Sequence, residues 1–402
     1  MLFDMRTVFQ KILIGDRVME FEFATASRII FGIGKSQKLA EFISEYGNRA
    51  LLVTGTTPDR FRAVPLSLDS ANIDYQIFEI GGEPSLEDVL SGIRHARSFG
   101  CEMVIAMGGG SVIDGGKAIA ALIANEGDPL NYLEVIGDGK PLANPSIPFI
   151  AIPTTAGTGS EVTRNAVLSS PEHRVKVSLR SPTMLPRLAL IDPELTCSLP
   201  PELTASTGMD ALTQVLEPFV SRFSNPFTDI LCKEGMMRAA RSLERAYQHG
   251  EDLTAREDMA FTSLLGGLAL ANAKLGAVHG FAGPLGGMIH GPHGAICARL
   301  LPFVMEVNIR ALKDRTPESN ALARYEEVSR ILTGKGSVTI MDGVNWVREL
   351  CERLGISPLR NFGLEKGHFS EAVEKASRSS SMKGNPIELT EDEMEEILLE
   401  AL

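Results

Sequence analysis

Apolar residues in the first half of the chain fall into two alternating patterns. Runs of strand length cover residues 50–54, 75–80, 103–107 and 148–152, bounded by Gly, Pro or Asp, and short apolar runs between such breakers suit strands buried on both faces. Between them the spacing becomes that of amphipathic helices. Leu39, Phe42, Ile43 and Tyr46 follow i, i+3, i+4, i+7, and so do Leu86, Val89, Leu90 and Ile93. Alternation of this kind predicts βαβ units in a parallel, Rossmann-like sheet. Past Asp192-Pro193 helical spacing takes over, and Pro200-Pro201 suits a first helical turn. The expected organisation is an α/β nucleotide-binding domain over residues 1–195, with 1–20 as an N-terminal extension, followed by an all-helical domain over 196–402. The most apolar stretch, 261–289, contains Asn272, Lys274 and His279, which makes a lipid-facing helix costly. It reads as a buried core helix.

Length and composition narrow the function classes. At 402 residues the chain suits two domains of roughly 150 to 200 residues, with room for a cleft between them. Hydrophobic residues make up 44% and charged residues 22%, which excludes a disordered or fibrous design. The net charge of -12, without a dense Lys/Arg stripe, argues against nucleic acid as a partner. Cys101, Cys197, Cys232, Cys297 and Cys351 are odd in number and form no C-x-x-C pair, as expected in a reducing cytoplasm. Asp4, Arg6, Lys11, Asp16 and Arg17 interrupt the apolar core that an export signal requires.

Three segments carry candidate chemistry. The predicted strand 103–107 runs into Gly108-Gly109-Gly110-Ser111, with Asp114 and Lys117 on the next helix. Without Cβ atoms, such a loop lets a pyrophosphate approach free backbone N–H groups at a helix N-terminus. Gly32 and Gly34 do not complete a G-x-G-x-x-G pattern, because Gln37 follows them, and they read as a turn. A second loop, Pro153-Thr154-Thr155-Ala156-Gly157-Thr158-Gly159-Ser160-Glu161, follows the predicted strand 148–152 and offers hydroxyls suited to ribose and phosphate oxygens. In the helical half, Asp210 and Gln214 stand four apart and share a helix face. His279, His290 and His293 cluster downstream, whereas His95, His173, His249 and His368 are scattered. A carboxylate, an amide oxygen and imidazoles make a borderline ligand set for iron(II) or zinc. Each also has a structural reading, a helix start for Asp210 and a satisfied core position for each histidine.

Taken together, these segments resemble the iron-containing (group III) alcohol dehydrogenase family over nearly the whole chain. The resemblance rests on the 108–111 and 153–161 loops and on Ala189-Leu190-Ile191-Asp192, Pro200, Thr207-Gly208-Met209-Asp210-Ala211-Leu212 and Glu217. It continues through Gly276-Ala277-Val278-His279, Pro284-Leu285-Gly286-Gly287, Pro292-His293-Gly294 and Asn385-Pro386. It implies a dehydroquinate synthase-like architecture and metal ligands at Asp210, Gln214, His279 and His293. It also implies cofactor contacts from Gly108, Gly109, Gly110, Ser111, Asp114, Thr154, Thr155, Thr158 and Ser160. Lys176 would lie near the nicotinamide ribose and Asn165 near the substrate. The sequence departs from the family at three places: Gln214 replaces a histidine ligand, Gly283 replaces a histidine assigned to substrate or proton handling, and Glu83 replaces an asparagine near the nicotinamide. His290 is the nearest local substitute for the missing proton carrier.

The implied function is hydride transfer between NAD(P)(H) and a small alcohol or aldehyde, with a divalent iron or zinc ion as Lewis acid. A metal-independent reductase resembling the maleylacetate type and a weakened nucleotide-binding protein on the same fold are the alternatives. A cyclase resembling dehydroquinate synthase lacks the basic cluster it needs, since only Lys274 and Arg299 stand near the ligands in sequence. The strand 50–54 ends in Gly55-Thr56-Thr57 rather than an acid, and an acid there binds the ribose 2′-hydroxyl of NAD. With Thr56, Thr57 and Arg60 as donors, NADP(H) is the expected preference. The family also implies a homodimer or a higher homo-oligomer.

Overall fold

In the computed structural model, which describes residues 20–57, 61–134, 136–170 and 175–402, the expected strands form one parallel sheet. Its strands are β1 (Ile29–Phe31), β2 (Arg49–Thr54), β3 (Asp74–Glu79), β4 (Met103–Gly108), β5 (Phe149–Pro153) and β8 (Leu188–Ile191), ordered β1-β8-β5-β4-β2-β3. An antiparallel hairpin, β6 (Asn165–Ser170) and β7 (Val175–Arg180), stands apart from the sheet. Arg60, His173 and the first nineteen residues lie outside the described residues.

The period-two alternation of buried strands sorts the two faces. Leu51, Val53, Val104 and Ala106 pack under α3 (Leu86–Phe99) and α4 (Gly110–Ile123). Ala50, Leu52, Met103 and Ile105 pack on the other face under α1 (Leu39–Ile43) and α2 (Ala63–Ser70). The helices that follow β2 and β4 therefore leave on opposite faces, so a crevice opens between these adjacent strands at their C-terminal ends. Gly32 and Gly34 turn the chain after β1, and Asp192 holds that turn by accepting from the Gly34 and Ser36 N–H groups.

From Pro201 onward the described elements are helical: α5 (Pro201–Val220), α6 (Pro226–Gln248), α7 (Leu253–Ala273), α8 (Ala277–Met288) and α9 (His293–Arg315), then α10 (Asn320–Thr333), α11 (Ile340–Arg353), α12 (Phe369–Ser377) and α13 (Glu391–Ala401). They share one apolar core centred on α5. The 261–289 stretch is largely buried, as expected, but it is two helices rather than one. The chain breaks at Lys274, which adopts φ 57°, and α7 and α8 are bent by 99°. No single described helix is long and apolar enough to cross a membrane.

Two glycines let the α/β and helical parts touch backbone to backbone. A Cβ on Gly159, which has φ +61°, would lie 2.4 Å from the Gly267 Cα on α7. A Cβ on Gly157 would lie 2.8 Å from the Thr207 Cβ on α5. The hydroxyl-rich loop is thereby clamped one helical turn from Asp210.

Beneath this loop, Lys117 is fully buried and donates to the Ser160 carbonyl at 2.8 Å, Thr163 Oγ1 at 3.0 Å and the Asn165 carbonyl at 2.7 Å. Glu161 is buried beside it, and burial pushes its carboxyl up to about 7 against the pull of Lys117. A carboxyl raised in the folded state contributes stability that is full below its unfolded value of 4.5 and is lost as pH climbs through about 7. Glu161→Gln removes that dependence. Its melting temperature relative to wild type is expected to rise between about pH 5 and about pH 8, as measured by calorimetry, whereas a constant difference would show that Glu161 does not titrate there.

Candidate active site

At the C-terminal edge of the sheet, β4 passes into α4 through Gly108 and Gly109 without a side-chain cap. The free N–H groups of this helix start are therefore available to an anion. A Cβ on Gly110 would meet Thr158 Cγ2 at 2.7 Å and Oγ1 at 2.8 Å, and one on Gly109 would meet Thr155 Cγ2 at 3.4 Å. The two loops singled out in the sequence thus face each other, with threonine hydroxyls over a glycine cradle. Ser111 is half-buried beside this cradle. Gly55, Thr56 and Thr57 leave β2 next to it, and both threonines are exposed.

Not every residue expected at the cofactor faces the crevice. Thr154 is buried, and its N–H donates to the Gly108 carbonyl at 2.9 Å. Asp114 is buried, accepts from the Val167 N–H at 2.9 Å and pairs with Lys117 at 3.7 Å. It fastens the hairpin to α4. Ser160 is buried and supplies its carbonyl to Lys117, as does Asn165. Lys176 lies on the hairpin and pairs with Glu83 at 2.5 Å. A Cβ on Gly286 would lie 2.8 Å from the Lys176 Nζ, so this lysine reaches across to α8.

The second half of the site is built on α5. Asp210, Gln214 and Glu217 recur at spacings of four and three, which places them along one face, and all three are buried. Glu217 caps α8: its Oε1 accepts from the Val278 N–H at 2.7 Å, and a Cβ on Gly276 would lie 2.8 Å from that oxygen. Its Oε2 lies 2.6 Å from His279 Nδ1, while His279 Nε2 is 3.2 Å from Asp210 Oδ1. A carboxylate behind one ring nitrogen fixes the tautomer and turns the other nitrogen toward the cluster. His293 opens α9, and its Nε2 lies 3.9 Å from Asp210 Oδ1. That approach depends on Gly294, whose Cβ would sit 2.2 Å from the Ser206 carbonyl oxygen on α5.

Charge and hydrogen bonding suit a cation here. Burial alone would raise the Asp210 carboxyl, but the His279 hydrogen bond and the His293 charge hold it below its ordinary value. Burial alone would lower the His279 imidazole, but the Cys297 sulfur, Asp210 and Glu217 hold it well above its ordinary value. An ion at this point takes the place of protons. Gln214 Oε1 is buried without a hydrogen-bond partner among the described residues. An acceptor left so costs about 1–3 kcal/mol, a penalty that a divalent ion would relieve. The donor set fits such an ion.

Sequence reasoning missed Cys297, which joins Asp210, His279 and His293 in a group whose donor atoms all lie within 4.8 Å of one another. The available signal was its i+4 spacing from His293. His290 stays outside this group; it is exposed, and its N–H donates to the Phe362 carbonyl at 3.0 Å. Gly283 is exposed, and a Cβ there would meet nothing within 4 Å.

A glycine cradle at the C-terminal edge of a parallel sheet, joined to helices that bring a carboxylate and two imidazoles together, has the build of a nucleotide-linked enzyme. Comparison with known proteins makes the assignment specific. Residues 26–193 match the iron-containing alcohol dehydrogenase domain, and 204–402 match the C-terminal domain of the Fe-containing alcohol dehydrogenase family. The chain is 36% identical over 368 residues to 1,3-propanediol dehydrogenase of Citrobacter freundii, covering 88% of this chain and 92% of that protein. It is 34% identical over 380 residues to choline dehydrogenase of Bacillus subtilis, covering 92% of each. A crystal structure of 1,3-propanediol oxidoreductase superposes with TM-score 0.88 at 33% identity, covering 95% of this chain and all of that one. The chain belongs to the iron-containing alcohol dehydrogenase family. It is an oxidoreductase of the alcohol and aldehyde class linked to a nicotinamide nucleotide.

Proposed function

We propose that the chain reduces a small aldehyde, or oxidises the corresponding alcohol, between the glycine cradle and the α5–α9 cluster, with Asp210, Gln214, His279 and His293 holding iron(II) or zinc. The convergence of Asp210, His279 and His293 is the observation that carries this reading. When bound, a divalent ion supplies Lewis acidity at the substrate oxygen and the nicotinamide supplies or accepts hydride. Asp210 provides the anionic donor, and Glu217 keeps the His279 Nε2 aimed at the same point. The Gly108–Gly110 backbone holds the pyrophosphate, with Thr155 and Thr158 at its oxygens and Ser111 beside them. Lys176 reaches from the hairpin toward α8 and suits the nicotinamide ribose, and Asn165 begins the same hairpin on the substrate side. With Gly283 leaving open space and His290 exposed, the proton exchanges with solvent, either directly or through His290. Loss of activity and of bound ion together in a chelation experiment tests this reading.

The finer cofactor assignment is NADP(H). No acid occupies positions 55–57, and the exposed Thr56 and Thr57 offer donors to a 2′-phosphate. Steady-state kinetics is expected to give a higher kcat/KM with NADPH than with NADH, and a tenfold or greater preference for NADH, about 1.4 kcal/mol, would reverse the assignment. The reading also includes a cytoplasmic homodimer. Exposed Phe21 and Phe227, whose rings stack 6.4 Å apart, give apolar surface to bury, and a monomeric mass in light scattering would contradict association.

A further inference from the structure

We infer that Cys297 is a further metal ligand, a sulfur donor beside the weak Gln214 amide. The inference rests on the metal-binding reading above and adds to it a ligand of a different kind. Cys297 lies one helical turn beyond His293 on α9, so both side chains project from the same face, and α9 is pressed onto α5 at Gly294. Its Sγ is 3.6 Å from His293 Nε2.

Two donor separations agree with those of a tetrahedral site, and a third, His293 Nε2 to Asp210 Oδ1, is longer. With metal–nitrogen and metal–oxygen bonds near 2.0–2.1 Å and a zinc–sulfur bond near 2.3 Å, tetrahedral angles put nitrogen and oxygen about 3.3 Å apart and nitrogen and sulfur about 3.6 Å apart. The observed separations are 3.2 Å for His279 Nε2 to Asp210 Oδ1, 3.9 Å for His293 Nε2 to Asp210 Oδ1, and 3.6 Å for Cys297 Sγ to His293 Nε2. Two of the other described cysteines are engaged elsewhere: Cys351 Sγ donates to the Ala298 carbonyl at 3.3 Å, and Cys197 Sγ lies 4.0 Å from the Pro193 carbonyl. A thiolate is a stronger and softer donor than an amide oxygen, so it shifts the site toward zinc over iron(II). A core cysteine that only hydrogen-bonds His293 is the competing explanation.

Cobalt(II) reconstitution of the full chain distinguishes the two. Wild type and Gln214→Ala are expected to show an intense thiolate-to-cobalt band in the near ultraviolet, and Cys297→Ser is expected to lose it. The same serine variant is expected to bind zinc about a hundredfold more weakly, at the upper end of what losing even an outer partner costs. Zinc K-edge fine structure on the wild-type protein, which needs no variant, is expected to show one sulfur at about 2.3 Å. A band that survives in Cys297→Ser, or an edge with nitrogen and oxygen neighbours only, overturns the assignment of Cys297 and leaves the metal reading intact. Failure of wild type to bind either ion overturns both.

Discussion

Replacing His279 with alanine is expected to strip the divalent ion from the protein and to lower kcat/KM by about three orders of magnitude. His279 is the most connected member of the cluster, holding Asp210 through one ring nitrogen and Glu217 through the other. Alanine removes a donor and leaves two buried carboxylates without their shared partner. Lewis-acid polarisation contributes several kcal/mol to the transition state, and each ~1.4 kcal/mol is tenfold in rate. Elemental analysis and single-substrate kinetics on the same preparation check both parts. Undiminished metal content in His279→Ala would place the ion elsewhere.

A comparable effect, separable from the first, is expected at the nucleotide. Gly110→Val puts branched carbons where a Cβ alone already lies 2.7 Å from Thr158 Cγ2, so the two loops must part. Hydrogen bonds to charged groups are worth about 1.5–3 kcal/mol each, and losing even one at the pyrophosphate raises the cofactor KM about ten- to a hundredfold. Metal content is expected to stay at the wild-type level, because Gly110 lies in the α/β part and every proposed ligand lies on α5, α8 or α9. Cofactor titration by fluorescence gives the readout, and an unchanged affinity would show that this loop does not hold the phosphates.

The elements legible in the sequence are those whose pattern has a local cause. Strands β2, β4 and β5 are buried on both faces and therefore read as largely apolar runs, and α3 carries its apolar stripe at helical spacing. β1 and β8 span three and four residues, too few for a period to register. The β6–β7 hairpin begins with Asn165 and carries Ser169, Ser170 and Ser178, and its inward alternation depends on packing over α4. The break between α7 and α8 was missed because the local signal, Lys274 followed by Gly276, is weak. What requires the break is non-local: α8 must start where Glu217 can cap it. The same distinction holds at the site. Asp210 and Gln214 announce a shared face through their spacing, whereas the pairing of Glu217 with His279 joins residues sixty-two positions apart. The approach of Cys297 to the cluster depends on how closely α9 packs on α5.

The most direct test is alcohol-dependent reduction of NADP+ or NAD+ by the full chain, followed by absorbance after thorough chelation and again after adding back iron(II) or zinc. The account predicts that chelated protein still binds the nucleotide but has lost turnover, and that turnover returns as a single ion per chain is restored. Full turnover by protein shown to be free of metal would contradict it.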